Sequence, residues 1–113
     1  MSAITTHVLD VSIGRPAAGV DLLLERGHDR DAWMHVARDE TDGDGRVRAL
    51  LPATMSLSAG TYRLTFGTRA YFERQGVRSF YPRVAITFEV TSDAHYHVPL
   101  LVSPFGYSTY RGS

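Results

Sequence analysis

Alternation with a period of two runs through this chain and constrains its fold more than any other feature. Tyr62, Leu64 and Phe66 alternate with Thr61, Arg63 and Thr65, and Val84, Ile86, Phe88 and Val90 alternate with Arg83, Ala85, Thr87 and Glu89. Successive side chains of a strand point to opposite faces, so each set predicts a strand that buries one face. Val20, Leu22 and Leu24 make a similar set, and Trp33 to Arg38 a weaker one. Turn signals fall between them at short spacing: Gly14-Arg15-Pro16, Thr41-Asp42-Gly43-Asp44-Gly45, Ser58-Ala59-Gly60 and Ser92-Asp93. Many short strands at that rhythm predict an all-β antiparallel sandwich. One segment breaks the pattern: with Thr68 as N-cap and Gly76 as a stop, Thr68 to Gln75 is predicted to be a short helix.

The stretch from His95 to Val102 places chemistry on this frame. Tyr96, Val98, Leu100 and Val102 are uniformly apolar and are expected to face the core, so His95, His97, Pro99 and Leu101 point away from it. The first strand splits similarly, with Ile4, Thr6 and Val8 on one side and Thr5, His7, Leu9 and Val11 on the other. Both of its faces are partly apolar, which implies that the outer one is also covered. A sandwich of this size fills its interior with side chains, so a ligand site is expected at a loop end or between protomers. An outer face carrying His7, Leu9, His97 and Leu101 suits a subunit interface with polar groups in a cleft.

Composition removes several classes of function. With 113 residues, 43% hydrophobic and 21% charged, the chain is expected to be a single domain spanning 1–113. Twelve basic and twelve acidic residues cancel, so no basic surplus points to nucleic acid or to an anionic membrane. Every basic residue is Arg, a hint of a GC-rich bacterial genome. Without cysteine there is no disulfide, thiol nucleophile or thiolate metal site. No apolar stretch approaches the ~20 residues needed to span a bilayer, and no secretory signal is visible, so a cytoplasmic protein is expected.

The polar candidates divide into ordinary and unusual. His28, in the charged segment Arg26-Gly27-His28-Asp29-Arg30, and His35 read as surface or satisfied residues. His95 and His97 form a His-x-His pair, which on a strand can chelate a metal, but a third ligand is wanting; general acid–base work is the competing use. Asp42, Asp44 and Gly45 resemble a calcium loop only superficially, because Leu51 falls where the bidentate Glu is required. The turn is therefore read as a tight glycine turn, with Arg46 placed directly after it, either a surface charge or a planar fork for an oxygen-rich ligand. The end of the chain, Pro104 to Ser113, carries Phe105, Tyr107 and Tyr110 and is expected to be packed rather than frayed, bringing its carboxylate near a site.

These residues also carry a family resemblance. Ile4-Thr5-Thr6-His7-Val8-Leu9-Asp10 with Gly14-Arg15-Pro16-Ala17, the turn ending in Arg46, Tyr71-Phe72, Phe80-Tyr81-Pro82, and His95-Tyr96-His97-Val98-Pro99-Leu100 through Ser103-Pro104 to Tyr110-Arg111-Gly112-Ser113 together resemble the 5-hydroxyisourate hydrolases of the transthyretin-related family. The resemblance spans nearly the whole chain. It implies a transthyretin-like sandwich of about eight strands with one short helix, assembled as a homotetramer that is a dimer of dimers, with active sites in the channel between dimers. It implies hydrolysis of 5-hydroxyisourate to 2-oxo-4-hydroxy-4-carboxy-5-ureidoimidazoline in urate degradation, without cofactor or metal. The implied catalytic residues are His7, Arg46, His97 and Ser113, with Ser108, Tyr110, Arg111 and Gly112 added for substrate binding and His95 in a flanking place. One imidazole, of His97 or His7, would be the general base, Arg46 would hold substrate oxygens, and Ser113 with Arg111 would orient the group. A transthyretin-like carrier of small hydrophobic ligands would leave the His, Arg and His set idle, and a purely structural sandwich would give no reason for it.

Overall fold

Nine strands and one helix form in the computed structural model, which describes residues 2–28, 30–92 and 94–113. In chain order they are β1 (Ile4–Asp10), β2 (Arg15–Pro16), β3 (Asp21–His28), β4 (Ala32–Glu40), β5 (Arg46–Val47), β6 (Gly60–Phe66), α1 (Thr68–Arg74), β7 (Val84–Val90), β8 (Tyr96–Ser103) and β9 (Gly106–Thr109). The alternating segments all become strands, and their apolar sets all turn inward: Leu22 and Leu24, Tyr62, Leu64 and Phe66, Val84, Ile86 and Val90, and the even residues of β8 are buried. Asp29 and Asp93, within two of the segments singled out above, lie outside the described residues.

One sheet runs β2-β1-β8-β9, with β5 also paired to β1; the other runs β4-β3-β6-β7. Each sheet gives its inner face to one core, in which Ile4, Val8, Leu24, Leu64, Phe66 and Leu100 have no exposed surface. Truncating such a side chain costs about 2–5 kcal/mol, a large share of a typical domain's stability. Only one ladder departs from antiparallel pairing among the described residues: β1 and β8 run parallel, from Ile4 opposite Tyr96 to Asp10 opposite Val102. Parallel neighbours need a long crossover, and nearly the whole second sheet lies between these two strands in sequence. The weak Trp33–Arg38 set becomes β4, a largely exposed edge strand whose alternation is broken by a register shift opposite Leu24 and Glu25.

The helix forms where predicted but starts differently. Thr68 is its first residue rather than its cap; Gly67 holds the capping position, its N–H donating to the Asp21 carbonyl at 2.8 Å, which fixes the chain's entry. Thr68 is buried, and its hydroxyl makes no capping hydrogen bond. The C-terminal stop works as expected. Gly76 adopts φ +69°, and the N–H groups of Gly76 and Val77 close on the carbonyls of Glu73 and Phe72. Buried Tyr71 ties the helix to β1 by donating to the Asp10 carboxylate at 2.8 Å.

Candidate active site

Three adjacent strands bring the predicted residues together. β5 and β8 flank β1 on opposite edges, with Arg46 opposite His7 on one side and His97 opposite Thr5 on the other. Thr5, His7 and His97 are the half-buried members of strands whose alternate residues are buried, so all three project from the outer face as alternation predicts. Arg46 is likewise the outward residue of β5, with Val47 turned to the core. Arg46, His97 and Ser113 line one cleft of about 380 Å³ with Thr5, Thr6, Val47, Arg48 and His95.

The glycine turn explains why Arg46 stands where it does. The Asp42 carboxylate accepts the N–H groups of Asp44 and Arg46, both at 2.9 Å, and the Gly45 N–H donates to the Asp42 carbonyl. Those bonds to the carboxylate, the Arg46 N–H foremost, hold Asp42 below its ordinary pKa. Gly45 has φ +75°, and a Cβ there would run into the Val8 carbonyl oxygen, so the turn requires glycine for both conformation and space. The Arg46 guanidinium makes no hydrogen bond or ion pair among the described residues.

His7 and His97 are held differently. His7 Nε2 lies 3.0 Å from the Asp44 carbonyl, which can only accept, so this nitrogen carries the proton and Nδ1 keeps the lone pair. His97 Nδ1 meets the Thr5 hydroxyl at 2.8 Å. Burial, then the Arg46 guanidinium, push both imidazoles below the ordinary histidine pKa; His95 and His7 push His97 further. Both rings are thereby kept neutral near pH 7, as a proton acceptor must be. Among the described residues no three His, Cys, Asp or Glu side chains gather as a metal set. His95 lies just outside β8 and is exposed, its Nε2 2.9 Å from the same Thr5 hydroxyl.

The tail pairs as β9, but within one protomer it is not packed as expected, since Phe105, Tyr107 and Tyr110 are all exposed, and it splits between two faces. Ser108 pairs with Leu101 and so shares the outer face. Tyr110 and Arg111 leave it and line a separate groove with Ile86, Phe88, Tyr96 and Val98, where the Arg111 guanidinium sits 4.5 Å over the Tyr96 ring. Within one protomer they do not reach the histidine cleft. Gly112 returns, its N–H donating to the His97 carbonyl at 2.8 Å, and a Cβ there would strike the His97 imidazole. That contact delivers Ser113 to the cleft. Thr5, Thr6, Val47 and Arg48 line the cleft without having been expected there; Thr5 alone had a signal, its place in the outward set of β1. His28 and His35 are exposed, on the far sheet. No helix among the described residues is long and apolar enough to cross a membrane.

Comparison with known proteins agrees with this fold. A family model described as "HIUase/Transthyretin family" matches residues 4–112. The 5-hydroxyisourate hydrolase of Mesorhizobium japonicum is 46% identical, the match covering 97% of this chain and 91% of that protein. Among solved structures, the Klebsiella pneumoniae 5-hydroxyisourate hydrolase is 41% identical, with a TM-score of 0.84 over 97% of this chain and 98% of that one. Sea bream transthyretin in complex with thyroxine has a TM-score of 0.91 at 30% identity, covering 98% of this chain and 95% of that one. With one family matched along nearly its full length, the chain belongs to the HIUase/Transthyretin family.

Proposed function

We propose that this chain is a 5-hydroxyisourate hydrolase that opens the six-membered ring of its substrate with water, giving 2-oxo-4-hydroxy-4-carboxy-5-ureidoimidazoline in urate degradation. The observation that carries the reading is the meeting of Arg46, His97 and Ser113 in one outward cleft, with His7 opposite Arg46. His97 takes the proton of the attacking water on Nε2, since Nδ1 is engaged by Thr5. Arg46, with its donors uncommitted, holds the substrate's oxygens and stabilises charge on the carbonyl oxygen during attack. His7 contacts substrate through its Nδ1 face, and Ser113 orients it from the tail. Ser108 lines the same face, while Tyr110 and Arg111 seat the tail so that Gly112 and Ser113 reach the cleft.

The same reading takes residues 1–113 as one domain, supported by the single core that both sheets share. It also includes a homotetramer, a dimer of dimers, in a bacterial cytoplasm. Half-buried Leu9 and Leu101, directly paired on the outer face beside the cleft, support an assembly across that face. The enzyme reading is tested by generating 5-hydroxyisourate from urate with a uricase and following its ultraviolet decay with and without the protein. Acceleration is expected. Decay at the spontaneous rate, together with saturable thyroxine binding, would replace the enzyme by a carrier, a reading that rests on backbone likeness to transthyretin.

A further inference from the structure

The proposed mechanism uses only one of the two contacts that the Thr5 hydroxyl makes in the cleft. The Thr5 hydroxyl oxygen lies 2.8 Å from His97 Nδ1 and 2.9 Å from His95 Nε2, so one hydroxyl bridges two imidazoles. The fold builds this bridge from the parallel ladder. Thr5 stands directly opposite His97, and His95 reaches back from two residues upstream, its ring centroid 6.5 Å from that of His97 with the planes 22° apart. We propose that Thr5 is a positioning residue, whose hydroxyl sets which nitrogen of His97 carries the proton and joins the protonation of His97 to that of His95. The functional part of this inference rests on the hydrolase reading; the coupling itself does not.

A hydroxyl has one hydrogen to donate and two lone pairs to accept with. Two bare ring nitrogens cannot both be satisfied by it, so at least one imidazole presents an N–H to Oγ1. When His97 donates from Nδ1, the hydroxyl turns to His95 Nε2, and the other His97 nitrogen keeps the lone pair a general base needs. When His95 donates, the hydroxyl turns to His97 Nδ1, and the proton of a neutral His97 moves to Nε2, where it cannot act as a base. The nitrogen that carries a histidine's proton is set by the hydrogen bond its partner nitrogen makes. Charging both rings makes both N–H groups point at one oxygen and sets two cations side by side, so the second proton binds more weakly than the first.

Every other element packed here acts on this pair. Arg46 and Arg48 follow the glycine turn and Ser113 comes from the tail, all lining the cleft. His7 from β1 and Arg46 disfavour a charged His97, while Asp42 and Asp44 are nearer His7 and Arg48. A low-polarity spacer in place of Thr5 would leave both rings in position and remove only the link.

Nitrogen-detected NMR of the 15N-labelled protein tests this against pH in the wild type, Thr5→Val and Thr5→Ser. The wild type is expected to show His97 protonated on Nδ1 in its neutral form, and His95 and His97 titrating in two linked steps. Thr5→Val should give His97 a mixture of tautomers and let the two rings titrate independently, with kcat on 5-hydroxyisourate lower by about tenfold and KM little changed. Thr5→Ser, which keeps the hydroxyl, should restore both. An unchanged tautomer and unchanged linked titration in Thr5→Val would overturn the bridge. Wild-type protein that shows linked titration but no hydrolysis would overturn the hydrolase reading while leaving the bridge standing.

Discussion

Two half-buried arginines, one on the outer face of each sheet, show how differently this fold treats the same residue type. Arg63 on β6 is fully committed. Its Nε and Nη2 donate to one Glu25 oxygen at 3.1 and 2.8 Å, Glu25 is its direct partner across the β3–β6 ladder, and the guanidinium lies 4.1 Å over the Trp33 ring. Arg46 on β5 has neither acid nor ring. Its charge instead disfavours protonation of His7 and His97. A cross-strand ion pair at partial exposure contributes up to about 1 kcal/mol. A cation aimed at developing charge in a cleft lowers a barrier by roughly 3–4 kcal/mol. The β4-β3-β6-β7 sheet settles this charge for stability. The sheet built on β1 and β8 leaves one unsettled beside two neutral imidazoles, as the proposed catalysis requires.

The largest expected effect is at the base. His97→Ala should lower kcat/KM by about 10²–10³-fold while sedimentation velocity shows the wild-type assembly. Dissociation in parallel with the loss would make His97 an interface residue instead. Gly112→Ala comes next: its Cβ drives the imidazole aside, and a misplacement of that kind should cost about 10–100-fold in kcat with little change in melting temperature. Unchanged kinetics would detach the tail from the site. A smaller, thermodynamic effect follows from the depressed pKa values of His7 and His97. A folded state that holds protons less tightly than the unfolded chain is stabilised as pH rises through the interval between the two values. Stability from these rings is therefore complete above the ordinary histidine value and is lost as pH falls through the lower folded values. Melting curves across that interval should show it, and replacing both histidines by Asn should flatten the dependence. Least of all, Glu25→Gln should cost about 1 kcal/mol of stability and leave kcat/KM unchanged, because its effect is confined to the far sheet. A fall in activity would break the separation between the two faces.

Much of this was legible in the chain because strands write their faces into the sequence with period two. The inward set Tyr96, Val98, Leu100 and Val102 placed His97 outward, and the glycine turn placed Arg46 directly after a rigid corner. Alternation cannot give the pairing between distant strands. Thr5 and His97 are 92 residues apart, and only the parallel ladder makes them neighbours, so the hydroxyl bridge was invisible. The tail was less legible for a related reason. The resemblance implied Tyr110 at the site and Ser108, two places before it, on the same face, but within one protomer β9 ends at Thr109, and beyond a strand's end parity fixes nothing. Arg111 then finds the Tyr96 ring on the opposite face. Thr68 failed as a cap because a residue of the right type was pulled into the core by the helix it was expected to start.

Whether the outer face of β5, β1 and β8 is the hydrolytic site is tested most directly by the two arginines. Initial rates of 5-hydroxyisourate decay should be measured for Arg46→Met and Arg63→Met at equal concentrations of folded protein. Arg46→Met is expected to lose about 10²–10³-fold in kcat/KM with wild-type stability, and Arg63→Met to stay within about twofold of wild type while melting earlier. Equal losses in the two variants, or full activity in Arg46→Met, would contradict that assignment.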